Sequence, residues 1–127
     1  MILVDTHLLL WVAFEPDRLS TKAVKTLQSR ESPLVFSLAT LVASSHQDIT
    51  GPADVSVDPG LLRRALLSEG FVEWPIKAPH LVRVATLPWV HRDPFDRLLV
   101  AKVMEDGLSL LTADATLKRY GQFVKLV

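Results

Sequence analysis

No cysteine occurs anywhere in the 127 residues. A disulfide framework and a thiolate metal centre are therefore both excluded. Surplus charge is missing as well, because fourteen basic side chains offset fourteen acidic ones. A neutral chain is not drawn to nucleic acid by net charge, so any such contact has to come from a local patch. Long apolar runs are also absent. The longest, Leu8 to Phe14, falls far short of the ~20 residues that span a bilayer. No basic leader with a small-residue cleavage site opens the sequence, and a cytoplasmic protein without a membrane partner is expected. The lack of a Gly-x-Ser-x-Gly elbow removes that class of serine-nucleophile chemistry. The lack of a glycine-rich phosphate loop removes the common nucleotide sites. No repeat, low-complexity tract or long linker divides the chain, so one domain over residues 1–127 is expected. A domain of this size buries about two-thirds of its unfolded surface, enough for a core without staples.

What is present alternates strand and helix. Met1 to Val4 is a short apolar run, as in a strand buried on both faces. Leu8 to Phe14 predicts an apolar helix, broken at Glu15-Pro16-Asp17. Ser20 suits the N-cap of a helix through Arg30, with Ala23, Val24 and Leu27 inward. Pro33 to Phe36 reads as a second strand, and Ser37 caps a helix over Leu38 to Asp48. Ile49 to Pro59 has loop composition. A helix over Gly60 to Glu69 stops at Gly70, and Phe71 to Trp74 is a third strand. Ala78 to Leu87 predicts a helix and Pro88 to Arg92 a connector. A helix over Pro94 to Glu105 ends at Gly107. Leu108 to Leu111, Ala113 to Tyr120 and Phe123 to Leu126 complete the chain as strand, short helix and strand. Such alternation predicts an α/β fold with a mainly parallel sheet between helices.

The densest stretch is His91-Arg92-Asp93-Pro94-Phe95-Asp96-Arg97-Leu98-Leu99. Pro94 suits the first helical position, where its missing N–H costs nothing. Asp93 then becomes the N-cap and Asp96 the third helical residue, so both carboxylates share one helix mouth. Capping alone accounts for such a pair. Two further aspartates, Asp5 and Asp114, each come shortly after a strand. In open parallel sheets ligands bind beyond the carboxyl ends of the strands. Each aspartate has a bland role: Asp5 as cap of the first helix, Asp114 as a first-turn residue of the last. Jointly they raise an electrostatic problem. Two carboxylates about 4 Å apart repel by roughly 4 kcal/mol at an effective dielectric near 20. A cluster of three holds a proton, recruits arginines or binds a cation. For a cation, oxygen donors without sulfur or paired histidines favour Mg²⁺ or Mn²⁺. Such an ion could activate water for displacement at a phosphodiester.

Met1-Ile2-Leu3-Val4-Asp5-Thr6-His7, the stretch His91 to Leu99, and Leu111-Thr112-Ala113-Asp114 together resemble PIN-domain ribonucleases, in particular VapC-type toxins of bacterial toxin–antitoxin pairs. The resemblance runs over nearly the whole chain. It implies a PIN-like three-layer α/β/α sandwich and Mg²⁺- or Mn²⁺-dependent endoribonuclease activity on an RNA such as tRNA or rRNA. It also implies a homodimer and inhibition by a small VapB-type antitoxin. On this resemblance Asp5, Asp96 and Asp114 are the acidic metal ligands. Asp93 is an additional catalytic-site acid, a cap or supporting group. Thr6 and Thr112 fall where family hydroxyls orient the acids. One position departs. The family carries a glutamate on the helix after the second strand, and here Thr40-Leu41-Val42-Ala43 puts Ala43 in its place. Asp48 lies five residues on, about 140° round a helix, and is no obvious substitute. A catalytically weakened or inactive PIN relative that binds antitoxin or RNA is the alternative function.

Basic residues flank the acids. Arg92, Arg97, Lys118 and Arg119 are candidates for phosphate contacts, against a plain reading as surface charge; Thr6 and Thr112 join them as candidate substrate contacts. The dispersed His7, His46, His80 and His91 show no metal-ligand spacing, and His91 reads as a solvated turn residue, with a phosphate contact beside the acids as the alternative. Trp11, Trp74 and Trp89 suit core or interface anchors. Leu8 to Phe14 exceeds what one helix face of a small core requires, which predicts extension into a dimer interface or antitoxin groove. An aspartyl-nucleophile phosphatase would need a second acid where His7 stands.

Overall fold

The computed structural model describes residues 1–29, 31–44 and 57–127. Five short strands form one sheet: β1 (Ile2–Val4), β2 (Leu34–Ser37), β3 (Val72–Trp74), β4 (Ser109–Thr112) and β5 (Val124–Leu126). The order is β3-β2-β1-β4-β5. Every pairing is parallel, so the expected mainly parallel sheet is wholly parallel among the described residues. Register follows Leu3 opposite Val35 on one side and Leu110 on the other.

Strand alternation divides the core into two. Leu3, Val35, Leu110 and Val124 face one layer, with Leu99, Val100 and Val103. Val4, Leu34, Phe36 and Leu111 face the other, with Leu8, Leu9, Leu27, Leu62 and Leu66. Successive side chains of a strand point to opposite faces, so apolar runs such as Leu3-Val4 require a helix layer on each side. On the second face lie α1 (Thr6–Phe14), α2 (Thr21–Ser29) and α4 (Pro59–Ser68); on the first lies α6 (Pro94–Asp106), with α5 (Ala78–Val84) packed along it. The six-residue α3 (Leu38–Ala43) meets both α4 and α6.

Local chemistry explains the starts and stops. Ser20 Oγ accepts the Ala23 amide at α2, and Ser37 Oγ accepts the Ala39 amide at α3. Gly107 takes φ 69° after α6 and its N–H reaches the Val103 carbonyl, a left-handed ending that favours glycine.

Three expectations change. The helix expected to Asp48 ends at Ala43; Asp48, His46 and most of the expected 49–59 loop lie outside the described residues. The helix expected to Leu87 ends at Val84, continues as tighter turns with the Leu87 amide on the Val84 carbonyl, and presents the Val84 and Leu87 carbonyls to Arg97 as well. The helix expected over Ala113 to Tyr120 is a 3-10 helix over Ala115–Tyr120. The apolar run of α1 is mostly consumed inside the domain: Leu8, Leu9 and Leu10 are buried, and Phe14 alone of that run is exposed. No described helix is long and apolar enough to cross a membrane.

Candidate metal centre

The sheet order places β1 and β4 side by side in the middle, with the chain leaving towards β2 from one and towards β5 from the other. Such a switch point opens a crevice at the carboxyl ends of the strands. Asp5 follows β1 and Asp114 follows β4. The two are stitched together by Thr112, the last residue of β4. Its Oγ1 donates to Asp5 Oδ2 at 2.7 Å and accepts the Asp114 amide at 3.0 Å. The Asp5 amide itself donates to the Leu111 carbonyl at 2.9 Å.

Asp5 makes no side-chain capping bond to α1, so the bland role for this residue fails. It is buried, and its Oδ1 is a buried polar atom with no hydrogen-bond partner among the described residues. Burial pushes its carboxyl above the ordinary range, against the opposing pull of the Thr112 hydroxyl. An unpaired oxygen in that position is costly unless a cation or proton satisfies it.

Asp96 and Asp114 complete the cluster. Asp93 caps α6 as expected, its Oδ1 accepting the Phe95 amide at 2.8 Å and the Asp96 amide at 3.3 Å. Asp96 therefore stands in the first turn with its carboxyl turned to the crevice acids. Burial pushes it up to about 8, and the charges of Asp5, Asp93 and Asp114 add to the rise. Asp114 caps the 3-10 helix through Oδ1 to the Thr116 amide at 2.9 Å, which leaves Oδ2 for the crevice. Capping and clustering are thus compatible: one oxygen holds the helix while the other faces the site.

Of the two readings of His91, a solvated turn residue or a phosphate contact beside the acids, the structure removes the first. The ring Nε2 lies 3.1 Å from Asp114 Oδ2 and 3.4 Å from Asp96 Oδ2, and His91, Asp96 and Asp114 each offer a ligand atom within 4.8 Å of the others. Asp5 is not part of that 4.8 Å set; it joins through Thr112 and through its field on Asp96. The signal for His91 was its position two before the N-cap, since its Nδ1 accepts the Asp93 amide at 3.1 Å.

Three candidate substrate contacts are corrected. Arg97 is 4 % exposed. Its guanidinium donates to the carbonyls of Pro88 and Val84 at 3.0 Å each and lies 4.1 Å from the Trp89 ring centre. It fastens the connector before α6 and is not presented to a ligand. Thr6 is buried with its hydroxyl 3.1 Å from that of Thr40, and Thr112 is fully buried on Asp5. Thr112 positions Asp5, whereas the Thr6 hydroxyl meets that of Thr40. Arg92, Lys118 and Arg119 are exposed, although the Lys118 amine donates to the Val124 carbonyl at 2.6 Å. Ala43 is fully buried, one turn beyond the Thr40 that meets Thr6, so no carboxylate enters the crevice from that position.

The donors gathered here suit a hard divalent cation: the Asp96 and Asp114 carboxylates with His91, the orphaned Oδ1 of Asp5 behind them, and no sulfur. The model of the PIN domain family matches residues 2–122. The chain belongs to the PIN domain family. No curated protein matches its sequence. Among solved structures, a chain in the crystal structure of VapBC2 from Rickettsia felis bound to a DNA fragment from their promoter shares the PIN fold. It is 15% identical, with a TM-score of 0.68, and the match covers 100% of this chain and 98% of that chain.

Proposed function

We propose that this PIN domain, one domain over the whole chain, is an endoribonuclease dependent on Mg²⁺ or Mn²⁺ and the toxin of a VapBC-type pair. The observation that carries the reading is the unpartnered, buried Oδ1 of Asp5, a residue whose charge also raises Asp96. Asp5, Asp96 and Asp114 would hold the cation. When bound, it would activate water and screen charge at a phosphodiester. The chain does the positioning: Thr112 aims Asp5, and Asp93 sets the first turn that presents Asp96. Arg92, Lys118 and Arg119 lie on the exposed rim, where cations contact phosphates. The likeness to VapBC2 supports a small VapB-type antitoxin as partner; a homodimer and the RNA class, tRNA or rRNA, follow from the family resemblance.

The test is cleavage of structured RNA with Mg²⁺ or Mn²⁺. Wild-type activity should disappear in EDTA and fall on the order of a hundredfold in Asp96→Asn. Equal activity in all three conditions would sink the metal-nuclease reading.

Buried Ala43 supports a second reading, a PIN relative that binds antitoxin or RNA without cutting. Under it, wild type is inert with either metal, binds RNA in a shift assay, and gains cleavage in Ala43→Glu.

A further inference from the structure

We propose that His91 serves this centre as a hydrogen-bond donor to the substrate phosphate and not as a ligand of the cation, an inference that rests on the nuclease reading. The proximity of Nε2 to Asp96 and Asp114 invites the opposite assignment, with the imidazole standing in for the acid missing at Ala43. The other ring nitrogen decides against it. Nδ1 accepts the Asp93 amide at 3.1 Å, so the neutral ring carries its hydrogen on Nε2. A histidine that ligates through Nε2 carries its hydrogen on Nδ1 and donates it to an acceptor. Here Nδ1–H would meet the Asp93 N–H, donor against donor.

The surroundings hold this arrangement. Asp93 is the N-cap of α6, its carboxylate bound to two amides of the first turn, and Pro94 follows. The His91 amide donates to the Tyr120 hydroxyl at 3.2 Å. Turning the ring over would leave the Asp93 amide without this acceptor. Nε2–H therefore points at the two carboxylate oxygens that face the crevice. Once a cation takes up their charge, the same N–H stands beside the place where anionic phosphate oxygens approach. The side chain is 19% exposed, so a substrate can reach it. His80 supplies an internal contrast. Its Nδ1 accepts the Lys77 amide at 3.0 Å and its Nε2 faces Asp106 at 2.8 Å, yet it is 2% exposed and faces one carboxylate. The wiring is the same, and only His91 opens on the acid cluster.

Long-range ¹⁵N–¹H spectra of the histidine rings read the hydrogen directly. His91 should show hydrogen on Nε2 and a bare Nδ1, both free and with saturating Mg²⁺, matching His80. Hydrogen on Nδ1, or loss of it from Nε2 on adding Mg²⁺, overturns the proposal. Calorimetric Mg²⁺ affinity should stay within about threefold of wild type in His91→Gln and His91→Ala, whereas weakening of about tenfold or more in both makes His91 a ligand. Titrating inorganic phosphate into the Mg²⁺-loaded protein should shift the His91 Nε2–H resonance and leave that of His80 in place. Absence of that shift also overturns the proposal. The nuclease reading fails separately, if wild type cuts no RNA; the spectra and the phosphate titration decide the role of His91 in either case.

Discussion

The two ends of α6 carry two polar clusters built from similar parts. At the amino end, Asp93 and Asp96 meet Asp5, Asp114 and His91. At the carboxyl end, Asp106 accepts from Trp74 Nε1 at 2.7 Å and His80 Nε2 at 2.8 Å, and the buried Lys102 amine donates to the Pro75 carbonyl. The carboxyl end is balanced. Its carboxylate has two donors, those donors and the nearby Lys102 charge hold Asp106 below the ordinary range against some burial, and its cation has a carbonyl. The amino end is not. Its buried arginine is turned away onto carbonyls, its acids raise one another, and one buried oxygen has no partner. The difference separates a satisfied polar network from a candidate ligand site: both are polar, and only one has charge left over.

The sharpest way to break that contrast is the same substitution at each end. Asp96→Asn should lower metal-dependent cleavage on the order of a hundredfold and raise the melting temperature in EDTA at pH 8. Asp106→Asn should leave cleavage unchanged and cost about 1–3 kcal/mol of stability, read by urea unfolding. If Asp96→Asn instead destabilises the metal-free protein, the amino end is as balanced as the other.

Next in size is the pH dependence of stability. Asp96 sits at about 8 in the fold against 3.8 as its ordinary value, so the folded state holds the extra proton. That contribution is complete below about pH 4 and is lost as pH rises to about 8. Lys102, fully buried, is pushed down to about 8 from 10.5 by desolvation. There the folded state holds fewer protons, so stability recovers between about pH 8 and 10.5. Thermal melts in EDTA should therefore pass through a minimum near pH 8. Saturating Mg²⁺ should remove the acid limb and leave the lysine limb. An acid limb that persists unchanged in Mg²⁺ would place the cation elsewhere.

A smaller effect is expected at Arg97. Arg97→Lys replaces a fork that reaches the Val84, Leu87 and Pro88 carbonyls with a single ammonium. It should cost about 1–3 kcal/mol and leave cleavage at low temperature intact. A large loss of kcat without loss of stability would return Arg97 to the substrate-contacting set. The smallest effect belongs to the exposed rim. Arg92→Ala or Arg119→Ala should weaken RNA binding a few-fold and reduce the log–log salt slope by about 1 each.

Much of this protein was legible before folding because its signals are local. The strand runs, Ser20, Ser37, Asp93 and Gly107 act within one or two turns, through side-chain period and capping. The strand-following positions of Asp5 and Asp114 sufficed to bring them to one sheet edge. Ala43 was visible as a departure only against the pattern of the family the sequence resembles. What the chain could not declare alone depends on approach across the fold. His91 meets Asp114 from twenty-three residues away, and Trp74 meets Asp106 from thirty-two. Arg97 reads in the sequence as a surface cation beside two acids; tertiary packing turns it onto the Val84 and Leu87 carbonyls at the end of α5. Residue type and period settled which elements form and which carboxylates share an edge. Only the packed structure decided which charges are neutralised, because burial removes the water that would otherwise screen them, and the remaining partners come from distant parts of the chain.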